Sequence, residues 1–249
     1  MTGPRKSLAL YRDIGSTYLH WARALLVLAV VVFIPIGLLH SLAFHADFGS
    51  LDLHNGLAVL ALAGGVAVLA VTGLLGEVFY TGAVSIALTH PHGGEPPTLR
   101  EVARMINYRR LVAVDLIFAG LVSVGFVLLF VPGLVMFVYL GLAAPVVEIE
   151  RRTVKEAFAR SARLVRGNFW LAASVFIPIE LAGDALTNLA TGLTQDLLGE
   201  SLLAEWLADA ASNIAFTPFY AVAAVLLTLE LIAARDGASP RLHSAPPGR

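Results

Sequence analysis

Long uncharged runs dominate this chain. Between Arg23 and Asp47 no Asp, Glu, Lys or Arg occurs, and Ala24 to Leu39 is almost wholly aliphatic. Asn55 to Gly76 is a second such run, its apolar character continuing past Glu77 to about Leu88, and Leu116 to Val147 is a third. A helix rises 1.5 Å per residue, so about 20 apolar residues cross a hydrocarbon core of about 30 Å. The third run is too long for one crossing. Val131-Pro132-Gly133 divides it, since proline lacks an amide hydrogen and glycine favours turns. Two further runs start at Asn168 and Asn213. Six crossings are expected, over about 24–44, 55–76 and onward, 111–131, 133–149, 168–188 and 213–233. The fold class this predicts is all-α: a polytopic membrane helix bundle with amphipathic cytoplasmic interface helices. It forms a single integral domain over 1–249, with a short cytoplasmic tail from 236 to 249.

Composition excludes the soluble alternatives. The chain is 57% hydrophobic and 14% charged, whereas a soluble domain has about 25% charged residues. A soluble enzyme, a nucleic-acid reader or a disordered regulator would lack the polar groups to cover its surface. There is no cysteine, which excludes disulfides, thiolate metal sites and cysteine nucleophiles. The net charge of −1 hides a segregation. All 17 Lys and Arg residues fall in four segments: before the first crossing, between the second and third, between the fourth and fifth, and after the sixth. The other loops carry Asp47, Asp52, Asp196, Glu200, Glu205 and Asp209. By the positive-inside rule both termini are cytoplasmic. The first crossing reads as a signal anchor, because no small-residue cleavage site follows it.

The basic segments also have internal periodicity. In Thr153–Trp170, Val154, Ala157, Phe158, Leu164, Val165 and Phe169 recur at three- and four-residue spacing, with Lys155, Glu156, Arg160, Arg163 and Arg166 between them. That pattern predicts an amphipathic helix with its basic face toward headgroups and water. Arg152–Glu156 and Glu156–Arg160 have the spacing of helical ion pairs. Thr98-Leu99-Arg100-Glu101 resembles Thr153-Val154-Lys155-Glu156, and Val32–Ile36 matches Val175–Ile179, which suggests repeated units of surface helix plus membrane hairpin. On the acidic side, Glu200–Ala211 reads as a helix lying on the outer leaflet, with Trp206 at the interface.

A family resemblance rests on the second half of the chain. Its residues are Pro132-Gly133, Ala144-Pro145-Val146-Val147, Glu150, Ala157 and the run Arg160-Ser161-Ala162-Arg163-Leu164-Val165-Arg166-Gly167-Asn168-Phe169-Trp170. This resembles the bacterial and archaeal six-helix membrane proteins of unknown function related to the membrane domain of glycerophosphoryl diester phosphodiesterases. Tyr80-Thr81-Gly82-Ala83 and the turn at Gly93-Gly94 are similar to that family too. The sequence carries no phosphodiesterase domain, so the resemblance implies a fold and a membrane address rather than hydrolase activity.

Two groups of residues are candidate sites. Ionisable side chains within a crossing are costly and mark function by default. Glu77 is one, and Glu180 and Asp184 begin a polar stripe that continues through Thr187, Asn188, Thr191 and Gln195. The stripe either lines an aqueous cavity or marks an early end of the fifth crossing. Glu77 either lies inside the membrane or emerges at its surface. The second group is Glu150, Arg160, Ser161, Arg163, Arg166 and Gly167. Glu150 paired to Arg160 or Arg163 would staple the surface helix to the fourth crossing. Ser161 permits close approach or bonds a carbonyl one turn back, and Gly167 forms a left-handed cap. The alternative is a contact with anionic lipid headgroups. Asp115 is expected to be stabilised by its own helix and by Arg109 or Arg110.

No catalytic motif, cofactor fingerprint or metal-ligand spacing is present, His40, His45, His54, His90 and His92 included. The expected function is therefore non-catalytic: a membrane module contacting lipid headgroups or a membrane or cytoplasmic protein partner, without nucleic acid. The alternative is a transporter, or transport accessory, for a lipid or small solute.

Overall fold

The computed structural model describes residues 4–44, 76–89, 98–199 and 201–237. Of these, 91% are helical, and no strand occurs among them. The helices are α1 (Pro4–Phe44), α2 (Glu77–Thr89), α3 (Leu99–Met105), α4 (Tyr108–Leu128), α5 (Phe130–Leu140), α6 (Ala143–Ile149), α7 (Val154–Val165), α8 (Phe169–Leu198) and α9 (Leu202–Asp236). Five stretches of the described residues are long and apolar enough to cross a bilayer: Leu8–Leu39, Tyr108–Leu128, Phe130–Ile149, Phe169–Leu198 and Leu202–Asp236. This is a membrane-embedded helical protein. The second expected crossing, 55–76, lies outside the described residues except for Gly76, and α2 is the shorter apolar helix that follows it. The histidines at 45, 54, 90 and 92 also lie outside, as does the side chain of His40.

Helix α9 is the axis of the bundle. Ala221 to Leu229 are all buried, so this stretch presents no polar face, the pattern of a helix enclosed on every side. α1, α2 and α8 pack around it, helped by small residues that let backbones approach. At Gly37 of α1, an added Cβ would lie 2.9 Å from the Asp209 carboxylate of α9. Trp206 Nε1 donates to the Ile34 carbonyl of α1 at 3.0 Å. Proline leaves one carbonyl free in helix α8: Pro178 has no amide to offer the Ser174 oxygen. The Tyr11 hydroxyl of α1 donates to that oxygen at 2.7 Å.

Several boundaries differ from the sequence expectation. The N-terminal segment and first crossing form one helix of 41 residues, about 60 Å long. The acidic segment 200–211 is not a separate surface helix: from Leu202 it is continuous with the sixth crossing in the 35 residues of α9, since no breaker separates them. The helix of the fifth crossing continues through the polar stripe, as α8 runs 30 residues to Leu198. Between α4 and α5 the break falls at Leu129, in extended conformation, and Pro132-Gly133 lie inside the first turn of α5. That is where a missing amide costs least. The fourth crossing is interrupted at Gly141-Leu142, ahead of Pro145, which again occupies a first turn.

The arginine-rich segments meet at one end of the bundle. Arg110 Nη1 donates to the carbonyls of Arg151 and Arg152 at 3.3 and 3.4 Å, and Arg235 donates to the Arg163 carbonyl. Thr98 and Thr153 open α3 and α7 in the same way, their amides donating to Glu101 and Glu156 at 2.7 and 3.1 Å. The Thr153 hydroxyl, which donates to Glu156 at 2.8 Å, and then the Thr153 amide hold the Glu156 carboxyl below the usual carboxylate range. Glu156 thus caps its own helix instead of pairing with Arg152 or Arg160. Helix α7 ends at Val165, and Gly167, at φ 93°, turns the chain into α8 as expected of a left-handed cap.

Candidate functional site

Three of the four sequence-predicted intramembrane residues converge on one cavity. Glu77 at the start of α2 faces Glu180 and Asp184 of α8, with Ser212, Asn213, Thr217 and Tyr220 of α9 closing the far wall. Glu180 lies about 17 Å along α8 from its start, and Glu77 about 18 Å along α2 from its end. Asn188 does not join them. It is exposed, and its Nδ2 donates to the Asp184 carbonyl at 2.8 Å. Thr187, seven residues past Glu180, takes that place on the cavity wall.

Asp115 sets the position of Glu77. Gly76 precedes it at φ 96°, a backbone state that L side chains rarely adopt, and its amide donates to Asp115 Oδ2 at 2.8 Å. A helix N-terminus inside the bundle thus receives a carboxylate cap from α4. The sequence reading assigned Asp115 to its own helix and to Arg109 or Arg110. Its hydrogen bond instead goes to the start of α2, about 10 Å along α4 from Tyr108.

The cavity has a volume of about 50 Å³ and, among the described residues, no lysine, arginine or histidine in its wall. That is room for a few water molecules or one small cation. Ser212 is 2% exposed and its Oγ has no hydrogen-bond partner, although a buried hydroxyl ordinarily finds one. Among the described residues no three His, Asp or Glu side chains approach closely enough to hold a metal ion. The polar surface continues along α2: Thr81, Ser85 and Thr89 each donate to the carbonyl four residues back, at 2.7, 2.8 and 2.6 Å. This stripe was missed in sequence, although Glu77, Thr81, Ser85 and Thr89 recur at a spacing of four. Ser212 and Tyr220 were missed as well, because neither stands out without the fold.

At the arginine-rich end the second candidate group divides. Arg160 is buried rather than on the basic face. Its Nε donates to Glu150 Oε1 at 3.0 Å and its Nη2 pairs with Asp236. Glu150 also takes Arg152. Burial works against the charge on Arg160, but Glu150 and Asp236 more than offset it and raise its pKa. α7 is thereby fixed to the ends of both α6 and α9. Ser161 Oγ donates to the Tyr139 carbonyl at 2.7 Å, one of the last four of α5, which have no partner in their own helix. The bond crosses between helices instead of reaching back one turn. Arg163 and Arg166 are exposed, and their side chains enter none of the ion pairs found at this end.

No family model, curated protein or solved structure matches this chain, so the family resemblance rests on the residues quoted for it.

Proposed function

We propose that this protein is a membrane transporter, or a component of one, that holds a proton or a small monovalent cation in its acid-lined cavity. One observation carries this reading: Glu77 from α2 and Glu180 and Asp184 from α8 meet at a single cavity, and no described residue in its wall carries a positive side chain. Carboxylates there are costly unless something positive compensates them. The cavity volume narrows the earlier alternatives from lipid or solute to a cation of water size. On this reading both termini face the cytoplasm, following the arginine-rich end. The test uses purified protein in vesicles with an internal pH or potassium indicator. Wild type is expected to dissipate an imposed gradient, with Glu180→Gln and Glu77→Gln falling to the rate of empty vesicles. Because the chain has no cysteine, Thr187→Cys should also react with a small membrane-impermeant thiol reagent, while Ala173→Cys, buried in α8, should not. Flux equal to empty vesicles in the wild type, together with an unreactive Thr187→Cys, overturns the reading.

A second reading, of a non-catalytic module that contacts anionic lipid headgroups, is favoured by the exposure of Arg163 and Arg166. Each such charge contributes about 1 kcal/mol toward an anionic surface. Arg163→Glu with Arg166→Glu is expected to cut phosphatidylglycerol retention about tenfold or more, measured by native mass spectrometry. Unchanged retention counts against it. Arg160 belongs in neither test, since it is an internal staple.

A further inference from the structure

A second cleft lies where the start of α4 meets the end of α6. Asn107, Tyr108, Arg109, Arg110, Glu148 and Arg151 line it, around a volume of about 380 Å³. Three guanidinium groups and the positive end of α4 make it a place for an anion. Arg110 is held there by its bonds to the carbonyls of Arg151 and Arg152. Arg151 itself sits at φ 51°, unusual for a residue with a side chain. Arg109 is exposed and joins none of the ion pairs at this end.

Glu148 breaks the pattern. It is 8% exposed, and its Oε1 has no hydrogen-bond partner and takes part in no ion pair. The Asn107 amide bonds to the carboxyl, and the Arg151 and Arg110 guanidinium groups attract it without pairing with it. Oε1 remains a buried acceptor that, although Arg110 and Arg151 attract the carboxylate, calls for a donor the described residues do not supply. A lone phosphate would meet repulsion from Glu148, and a lone amine would meet repulsion from the three arginines. A molecule carrying both charges a few atoms apart satisfies both sides.

We propose that this cleft binds a phosphate group bearing a primary amine a few atoms away, the chemistry of an ethanolamine phospholipid headgroup. The phosphate lies against Arg109, Arg110, Arg151 and the start of α4, and the ammonium donates to Glu148 Oε1. The surface beside the cleft suits a lipid as the source. Val112 and Leu116 are 46% and 49% exposed and follow Arg109 along α4, where acyl chains would lie. The inference deepens the headgroup-contact reading and rests on it. It does not depend on the acid-lined cavity.

The test is native mass spectrometry of the full chain with added phosphatidylethanolamine, phosphatidylcholine or phosphatidylglycerol. The quaternary ammonium of choline has no N–H to donate, and phosphatidylglycerol has no amine. Wild type should retain phosphatidylethanolamine about tenfold better than either, the size of one charge-assisted hydrogen bond. Glu148→Gln should remove that preference without lowering phosphatidylglycerol retention. Arg109→Ala, at an exposed position that does not threaten folding, should weaken retention of both lipids. Soluble phosphoethanolamine distinguishes the sources: displacement of the lipid shows that the headgroup suffices, and its failure shows that the chains along α4 are needed. Absence of any preference in wild type, or a preference that survives both variants, overturns the proposal. Lipid loss in the Arg163→Glu, Arg166→Glu protein but not in Glu148→Gln or Arg109→Ala would reject this site and keep the broader reading.

Discussion

Arg160→Ala is expected to destabilise the protein by about 3 kcal/mol, since removing one partner of a buried ion pair strands the other. The Arg160 side chain is 10% exposed and Glu150 14%, whereas Asp236 is 42% exposed and recovers water when its partner goes. The loss is therefore set near the lower end of what a buried pair costs, and most of it comes from Glu150. Arg152 remains on Glu150 but is itself 37% exposed and leaves the Arg160 side of that carboxylate uncovered. Arg160→Lys keeps the charge but loses the fork that reaches two carboxylates at once, so it should fall between wild type and alanine. Arg163→Ala, on the exposed face of the same helix, should change stability by no more than about 0.5 kcal/mol. Thermal unfolding in detergent provides the comparison. Equal behaviour of Arg160→Ala and Arg163→Ala would mean that the staple does not hold α7.

That contrast also shows what the sequence could and could not convey about the basic helix. Periodicity identified a helix around 154–165 and its glycine stop, because apolar spacing and backbone freedom are local properties. It placed Arg160 with Arg163 and Arg166 on one charged face and offered Glu150 a partner in either Arg160 or Arg163, because a helical wheel has no knowledge of what lies across from it. The end of α9 brings Asp236 to that spot, and this depends on a contact 76 positions away. The same division runs through the cavity. Glu77, Glu180 and Asp184 were legible as charges in apolar runs. Their convergence was not, and Asn188 shows why: positions 184, 187 and 188 share a broad polar stripe, while the cavity selects a narrower arc of it. Long-helix continuity was the least legible feature. Acidic and apolar stretches differ in composition at about residue 212, but nothing in α9 breaks the backbone there, so two expected elements are one. Glu148 escaped notice because its burial against the start of α4 is set by the fold and by nothing local.

The α4–α5 hairpin gives the sharpest steric expectation. Its connection is a single residue, Leu129, so the helices leave it almost in contact. A Cβ on Gly133 would lie 2.6 Å from the backbone nitrogen of Phe126, and one on Gly125 would lie 2.8 Å from the Gly133 Cα. Neither clash can be relieved by turning a side chain, because the obstructing atoms are backbone. The helices must move apart, which also disturbs the contact between the Phe126 and Phe130 rings, whose centroids are 5.5 Å apart. Gly133→Ala should therefore cost about 2–3 kcal/mol, the upper range for overpacking, with Gly125→Ala nearly as severe. Gly120 lies on the same helix with nothing within 4 Å of an added Cβ, so Gly120→Ala should be neutral or stabilising, as alanine is the better helix former. Val127 to Val131 are apolar and exposed at the tip, and in a bilayer they meet lipid rather than protein. Opening is expected to appear as protease sensitivity at Phe126–Phe130 in Gly133→Ala and not in Gly120→Ala. If the two variants are cut at the same rate, the tight glycine contact is not what closes the hairpin.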